Sequence, residues 1–401
     1  MANILFIAQR VPFPPNKGEK LRSYHQIEYL CRIGHHVTVF SPVESDTDEE
    51  FANQLSDKLG VTVVTKPLAH KFVRFAAALL TGRAISEANF FSRALFAQIC
   101  LHAHQADLIF CSASSLAKYV FDLNLEANYD KKPLLLMDFM DVDSDKWQQY
   151  AHSASWPMTL IYKREQRLIK ALEAQSVAYF DAAFLIARAE YELFQTHVCK
   201  CDNLHILGNG IDQNEFKPHI QETENVHFLF TGVMDYKPNI DAVLWFVENC
   251  WPAICELVPH AHFTIAGMNP DAKIQALAKD SRIEITGFVD DIMPYFNRAQ
   301  IFVAPFQIAR GVQNKVLQAM SCALPVVSSP LGAEGIESQH NYDIVIADSP
   351  QAFISHCIAL ANNADLAADI GKHAHETIRQ HYSWESVLAP LERIIKKGTN
   401  A

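Results

Sequence analysis

A run of acidic residues is the first feature of the sequence that could carry chemistry. Asp138, Asp141, Asp143 and Asp145 fall within eight residues, directly after an apolar segment. Mutual repulsion would raise the pKa of one carboxyl towards that of a general base, with Asp141 and Asp143 the best candidates. Such a cluster also suits a hard cation, and it is equally typical of a helix N-terminus, whose dipole favours acids. The three interpretations stay open.

A second candidate lies between Pro305 and Met320, where cations accompany the start of a predicted helix. Arg310 and Gly311 precede that helix, whose first amides favour an anion. Lys315 and Gln318 are three residues apart and therefore share one helix face. A lysine and an amide there suit the phosphate and ribose hydroxyls of a nucleotide. An ordinary surface helix is equally compatible with the pattern.

A third candidate follows the apolar residues that end at Phe230. Gly232 allows a ligand to approach the backbone. Asn239 is predicted to cap the next helix, whose N-terminus favours phosphate, and Lys237 adds positive charge. A simple helix cap with a solvated lysine is the alternative.

The loop after the first predicted strand, residues 9–20, is rich in proline and basic residues. Its prolines stiffen the chain, and Gly18 frees the turn. Arg10, Lys17 and Gly18 are therefore candidates for binding an acceptor, although a plain connector explains them too. The loop has no G-x-G-x-x-G pattern, so a dinucleotide fingerprint is absent.

Apolar strands alternate with amphipathic helices in two series, which predicts an α/β protein with two doubly wound parallel sheets. The turn-rich residues 208–212 separate the series. We predict domains at 1–207 and 208–382, with a final helix over 383–401. Single helices are predicted over 87–102 and 240–254. The first helix is predicted over Lys20–Cys31, with Leu21, Tyr24, Ile27, Glu28 and Cys31 at helical spacing. Two such sheets facing each other would form a cleft, and ligands bind outside the carboxyl ends of their strands.

Composition narrows the classes of function. The chain has 401 residues, of which 49% are hydrophobic, and a net charge of −11, which disfavours a nucleic-acid partner. The histidines have no nearby set of carboxylates or cysteines at metal-ligand spacing, so they do not indicate a metal site. The nine cysteines are odd in number and scattered, and the N-terminus lacks a basic leader, so a cytoplasmic protein with free thiols is expected.

Basic and apolar residues interleave over residues 70–75, with Arg83 nearby. This pattern suits peripheral contact with the acidic lipid surface of an inner membrane. A helix packed on its own sheet is the favoured alternative.

Taken together, the motifs resemble the retaining GT-B glycosyltransferases of the family 4 type over nearly the whole chain. The residues that carry the resemblance are Asn209-Gly210-Ile211-Asp212, Phe216-x-Pro218, Phe230-x-Gly232, Ile265-x-Gly267, Gly287-Phe288-Val289-x-Asp291, Ala304-Pro305, Leu317-x-Ala319-Met320 and Pro325-Val326-Val327. The variants around Arg10–Gly18, Asp141–Ser144 and Arg310–Leu317 are similar to a narrower subgroup. That subgroup comprises exosortase-associated sugar transferases, which accompany exopolysaccharide gene clusters in bacteria.

The resemblance implies an N-terminal acceptor domain, a C-terminal donor domain and a final helix that crosses back to the first. It implies transfer from a nucleotide-diphosphate sugar to a glycan or lipid-linked saccharide, with retention at the anomeric carbon. Neither a metal on the diphosphate nor another cofactor is required. By position, the donor would be bound by Gly232, Lys237, Asn239, Gly267, Arg310, Gly311, Lys315 and Gln318. Catalysis would involve Arg310, Lys315, Asp141 and Asp143.

One departure from the family pattern affects these expectations. Relatives carry two glutamates at the positions of Arg310 and Gln318, where the second accepts hydrogen bonds from ribose. Gln318 offers only an uncharged carbonyl, so weaker nucleotide affinity is expected. Two rival functions therefore stay open. One is a nucleotide-sugar epimerase on the same scaffold, and the other is a non-catalytic binding subunit.

Overall fold

The computed structural model describes residues 1–16, 18–125, 132–219, 225–309 and 312–399. The chain divides into two compact units. The first contains Met1–Asn209 and the C-terminal residues from Leu388, and the second is Gly210–Val387. The expectations for Lys17, Arg310 and Gly311 lie outside the described residues.

The first unit is built on a parallel sheet. Among the described residues its strands are β1 (Asn3–Ile7), β2 (His36–Val43), β3 (Thr62–Pro67), β4 (Leu108–Cys111), β5 (Leu134–Met140), β6 (Ala182–Leu185) and β7 (Leu204–Ile206). Their order in the sheet is β3-β2-β1-β4-β5-β6-β7. The direction of winding therefore reverses between β1 and β4, which is where ligands bind in such folds.

Helices cover this sheet, and their apolar faces form a core with the strands. The described α-helices of the first unit are α1 (Gly18–Arg32), α2 (Asp46–Leu59), α3 (Lys71–Thr81), α4 (Ile85–Phe90), α5 (Arg93–Ala103), α6 (Ala117–Phe121), α7 (Asp143–Ser153), α8 (Met158–Tyr179) and α9 (Arg188–His197).

The second unit repeats the architecture with a separate core. Its described strands are β8 (Val226–Thr231), β9 (Ala261–Ala266), β10 (Ile283–Gly287), β11 (Ile301–Ala304), β12 (Val326–Ser328) and β13 (Val345–Ile346). Their order is β10-β9-β8-β11-β12-β13, and every pair is parallel. The winding reverses between β8 and β11.

The helices of the second unit follow the same alternation. Those in the described residues are α10 (Lys237–Asn249), α11 (Trp251–Leu257), α12 (Ala272–Gln275), α13 (Met293–Arg298), α14 (Asn314–Ser321), α15 (Pro350–Asn362), α16 (Ala364–Thr377) and α17 (Trp384–Thr399). Helix α17 begins in the second unit and continues into the first from Leu388.

Two predicted helices are each divided in the structure. The helix expected over 87–102 is broken at Phe91, and α5 begins at Arg93, capped by Ser92, whose Oγ accepts a hydrogen bond from the Leu95 amide at 3.4 Å. The helix expected over 240–254 ends before Cys250, because Pro252 fits the first turn of a new helix. The amphipathic pattern of the sequence continues across both breaks, so it did not indicate where the helices end.

The residues of α1 at helical spacing are not all buried. Leu21, Glu28 and Cys31 are only half-buried, whereas Arg22 and Gln26 are buried completely. A buried carboxylate described below accounts for the burial of these two polar residues.

Helix α3 does not pack its apolar side chains on the sheet, contrary to the favoured expectation for residues 70–75. Its buried residues are Arg74 and Ala78, while Phe72 and Leu80 are 78% and 88% exposed. No helix in the described part of the chain combines the length and hydropathy needed to span a bilayer.

Candidate functional site

The second unit contains a cavity of about 670 Å³ at the carboxyl ends of β8, β9 and β10. Five of the predicted donor-binding residues line it: Gly232, Asn239, Gly267, Lys315 and Gln318. Chain segments far apart in sequence therefore meet where the fold places a ligand.

Two glycines bring the backbone turns of this cavity into close contact. Gly232 and Gly267 have φ angles of +156° and +150°. A Cβ atom on Gly267 would lie 1.7 Å from the carbonyl oxygen of Gly232. A Cβ on Gly232 would lie 2.7 Å from both Lys315 Nζ and Asn239 Nδ2. Side chains at either position would therefore displace the groups that form the cavity wall.

Lys315 is the central cation of this cavity. It lies in the first turn of α14, and its Nζ donates a hydrogen bond to Asn239 Oδ1 at 2.6 Å. The ammonium also lies 5.0 Å from the ring centroids of Phe230 and of Phe306. Burial lowers the pKa of Lys315 to about 8. No ion pair joins Lys315 to a residue that the structure describes, so an anionic ligand would supply the missing counter-charge.

The prediction that Asn239 caps a helix is wrong. Helix α10 begins at Lys237, after Tyr236, and Asn239 lies inside its first turn. Its buried side chain donates to the carbonyl of Val233 at 2.9 Å and accepts from Lys315. Asn239 therefore orients the lysine and fixes the turn that contains Gly232.

Lys237 is not among the residues that line the cavity. Its side chain is 76% exposed and forms an ion pair with Asp241 at 2.5 Å, one helical turn away. The structure thus gives Lys237 a surface contact in place of the predicted donor contact.

The first unit contains a cavity of about 490 Å³ beside the ends of β1, β4 and β5. It brings together Arg10, Gly18, Asp141 and Asp143, which were predicted from two separate motifs. Sequence reasoning missed the other charged and aromatic residues of its wall, among them Arg22, Lys146, Trp147 and Tyr150.

The four aspartates do not form one cluster. Asp138 is buried, and its carboxylate accepts two hydrogen bonds from the Arg22 guanidinium, at 2.6 and 3.1 Å. Gln26 donates to the same carboxylate at 2.6 Å. Asp145 accepts from Gln149 instead. Only Asp141 and Asp143 therefore line the cavity.

The pKa of Asp143 is raised to about 6, as a general base would require. Burial is the main cause, and repulsion from Asp141 and Glu190 adds to it, while Lys146 opposes the rise. The predicted direction is therefore right, but desolvation outweighs the repulsion that was expected to cause it.

Two acidic residues from other helices fix the backbone around Asp143. Glu190 accepts a hydrogen bond from the Val142 amide at 2.8 Å, and Glu173 accepts one from the Ser144 amide at 3.0 Å. Glu173 is buried, which raises its pKa to about 7. Nothing in the local sequence around Asp143 indicates either contact.

Arg10 and Gly18 have simpler surroundings. Arg10 is half-exposed and forms an ion pair with Glu19 at 2.8 Å. Gly18 is the first residue of α1, and a Cβ atom there would have no neighbour within 4 Å. No group of three or more His, Cys, Asp or Glu side chains in the described residues could hold a metal ion.

The chain is similar to a family model, to a curated protein and to several solved structures. Residues 225–363 match a family model described as "Glycosyl transferases group 1". A curated relative is the "Uncharacterized 44.6 kDa protein in cps region" of Klebsiella pneumoniae. It is 22% identical over 399 residues, which cover 98% of this chain and 99% of that protein.

Solved structures of similar fold cover both units. Alr3699/HepE from Anabaena, solved with UDP, has a TM-score of 0.61 at 14% identity and covers 98% of this chain and 100% of its own. Sucrose-phosphate synthase from Thermosynechococcus elongatus has a TM-score of 0.61 at 13% identity, with 99% of each chain covered. The predicted fold class is confirmed: the chain has the two-domain GT-B fold, and its second unit matches a glycosyltransferase family.

Proposed function

We propose that the protein is a glycosyltransferase that takes a sugar from a nucleotide-diphosphate sugar and transfers it to a glycan or lipid-linked saccharide. It would act in the cytoplasm of a bacterium, in exopolysaccharide or cell-surface polysaccharide biosynthesis. The observation that carries the proposal is the second-unit cavity, where Lys315 has neutral partners and two glycines expose backbone. The family match over the same residues supports it, as does the cps-region location of the Klebsiella relative.

The anionic leaving group is the ligand that Lys315 fits best. The bond from the anomeric carbon to the diphosphate breaks as negative charge grows on the phosphate oxygen. An ammonium in a partly desolvated site stabilises that charge more strongly than one in water. Gln318 would contact ribose, and Arg310 and Gly311 would complete the phosphate site. That UDP and UDP-glucose have been bound to the Anabaena protein supports a nucleotide here.

The first-unit cavity would hold the acceptor. An ionised Asp143 would accept a hydrogen bond from the attacking hydroxyl, and Asp141, Arg10, Lys17 and Gly18 would orient the saccharide. In a retaining reaction the acceptor oxygen bonds to the anomeric carbon on the face that the diphosphate leaves. The hydroxyl proton then passes to a phosphate oxygen of the leaving group.

A donor screen followed by product analysis tests this function. Purified protein would be heated with a panel of nucleoside diphosphates and nucleotide sugars. We expect the Tm to rise most with nucleoside diphosphates of one base, and with the nucleotide sugar that carries one particular sugar on that base. The stabilising donor would then be incubated with saccharide acceptors, and NMR would give the anomeric configuration of the product.

The rival functions predict different results in the same assay. Conversion of the donor to another sugar nucleotide without acceptor would indicate an epimerase. Binding of a donor without turnover of any acceptor would indicate a binding subunit. The absence of stabilisation by every nucleotide would contradict the role given to the second-unit cavity.

A further inference from the structure

An exposed apolar surface lies on the first unit, outside both cavities. It consists of Phe72, Val73, Leu79 and Leu80 on α3, together with Trp156, Met158 and Leu160 at the start of α8, and is named the α3–α8 patch. Leu80, Trp156 and Phe72 are 88%, 80% and 78% exposed. Apart from Met1, they are the most exposed large apolar side chains in the described residues. Such a concentration marks an interaction surface more strongly than scattered apolar residues do.

The two parts of the patch are held together by hydrogen bonds. The Arg164 guanidinium, one turn beyond Leu160, donates to the carbonyl of Ala78 at 3.3 Å and to that of Arg83 at 2.8 Å. The neighbouring Glu165 accepts from the amide of Ile85 at 2.8 Å. The beginning of α8 is therefore fixed to the C-terminal end of α3.

Helix α3 is itself attached mainly through polar contacts. Arg74 is buried and donates to Glu44 at 2.5 Å and to the carbonyl of Asn89. Ala78 is the other buried residue of the helix. The large apolar side chains of α3 therefore remain available to another apolar phase.

Basic residues accompany the patch, although the chain as a whole is acidic. Residues 71–83 contain no acidic residue; Lys71 is exposed, whereas Arg74 is buried against Glu44 and Arg83 lies 3.9 Å from Glu87. On α8, Lys163 and Arg167 are exposed, form no ion pair with a described residue, and lie at helical spacing from Leu160. The only acidic residue between 156 and 170 is Glu165, which is buried and paired with Arg164. Because the net charge is −11, this surface would attract an anionic partner while most of the molecule repels it.

We propose that the α3–α8 patch docks the protein on the anionic surface of a lipid bilayer. Its protruding leucines, phenylalanine and tryptophan enter the interfacial region, and Lys71, Arg83, Lys163 and Arg167 contact lipid phosphates. A second copy docked patch to patch fits less well, because the contact would bring Lys71, Lys163 and Arg167 of the two copies together. Docking would also bring the acceptor cavity near the bilayer. Helix α4 packs against α3, and the α4 residues Ser86, Asn89 and Phe90 line that cavity.

Co-sedimentation of the full chain with vesicles tests the proposal without any need for enzymatic activity. Vesicles of phosphatidylcholine alone would be compared with vesicles that also contain phosphatidylglycerol. We expect binding to the anionic vesicles, at least tenfold weaker binding to the neutral ones, and weakening by high salt. Absence of binding to the anionic vesicles would overturn the proposal and leave the proposed transferase function intact.

Matched variants locate the surface. Phe72→Ser with Leu80→Ser, and separately Lys163→Glu with Arg167→Glu, should each weaken vesicle binding at least tenfold. Leu101→Ser, at another exposed leucine of the first unit, and Lys372→Glu, at an exposed lysine of the second, should leave it unchanged. Thermal unfolding would confirm that each variant is folded. Equal loss in patch and control variants would overturn the proposal. So would a dimer that dissociates in the patch variants while vesicle binding is absent, since it would identify the patch as a contact between copies.

Discussion

The two cavities balance their charges in opposite ways. In the first unit both arginines of the cavity wall are paired within the protein, Arg22 with Asp138 and Arg10 with Glu19, while Asp141, Asp143 and Lys146 add charges of both signs. In the second unit Lys315 has only an amide oxygen and two aromatic rings as described partners. A cavity whose arginines are paired and whose other charges are of both signs suits a neutral ligand with many hydroxyls, whereas an ammonium without a carboxylate suits an anion. The difference favours a saccharide in the first unit and a diphosphate in the second.

The largest expected effect is that of removing the unpaired cation. Lys315→Ala should cost roughly 2–4 kcal/mol in transition-state stabilisation, measured from kcat/KM, since removal of a group that meets developing charge has effects of that size. Lys237→Ala is the matched control, because that lysine is exposed and paired with Asp241, and its activity should stay near the wild-type value. Unchanged turnover in Lys315→Ala would remove Lys315 from the mechanism.

A second test makes the same glycine-to-alanine change in both cavities. Gly267→Ala should weaken nucleotide binding by roughly 2–3 kcal/mol, because the new Cβ would overlap the Gly232 carbonyl oxygen and force the backbone to move. Gly18→Ala meets nothing within 4 Å and should leave nucleotide binding unchanged. Calorimetric titration of both variants with the stabilising nucleotide gives the two affinities, and equal affinities would show that the close contact is not needed.

The sequence predicted the loops better than it predicted their internal contacts. Strand and helix periodicity fixes which loops leave the carboxyl ends of the strands, and parallel winding then brings those loops together. The Arg22–Asp138 pair spans 116 residues and the Glu190–Val142 contact spans 48. No local sequence pattern specifies such pairs. The burial of Asp138 against Arg22 could therefore not be predicted.

The exposed position of Lys237 and its ion pair with Asp241 could have been predicted from the sequence. Lys237 and Asp241 are four residues apart, a spacing that favours an ion pair on the helix surface. Asn239 was misassigned for a different reason: the helix starts three residues earlier than predicted, with Pro238 in its first turn.

The buried acid of the first unit should make stability depend on pH. The folded-state pKa of Glu173 is about 7, above its ordinary value of 4.5. Its contribution to stability is therefore fully present below pH 4.5 and is lost as the pH rises through 7. Glu173→Gln should thus gain stability relative to the wild type by roughly 2–3 kcal/mol between pH 5 and pH 8, since the wild type loses about 1.4 kcal/mol for each pH unit between pH 5 and pH 7. Denaturant unfolding at both pH values measures this gain. Parallel pH profiles of variant and wild type would contradict the assignment.

The smallest expected effect concerns the departure from the family pattern at Gln318. Gln318→Glu places a carboxylate on the wall of the second-unit cavity, where Gln318 now lies. A charged acceptor binds a ribose hydroxyl more strongly than an amide carbonyl does, so affinity for the free nucleoside diphosphate should rise by about 0.5–1 kcal/mol. The new charge would also attract Lys315 and compete with the diphosphate, which keeps the gain small.

Titration with the diphosphate and with its parent nucleoside separates the two effects, because only the nucleoside lacks the group that Lys315 would bind. A gain with the nucleoside and a loss with the diphosphate would place the two side chains in direct competition. Weaker binding of both ligands would contradict a ribose contact at this position.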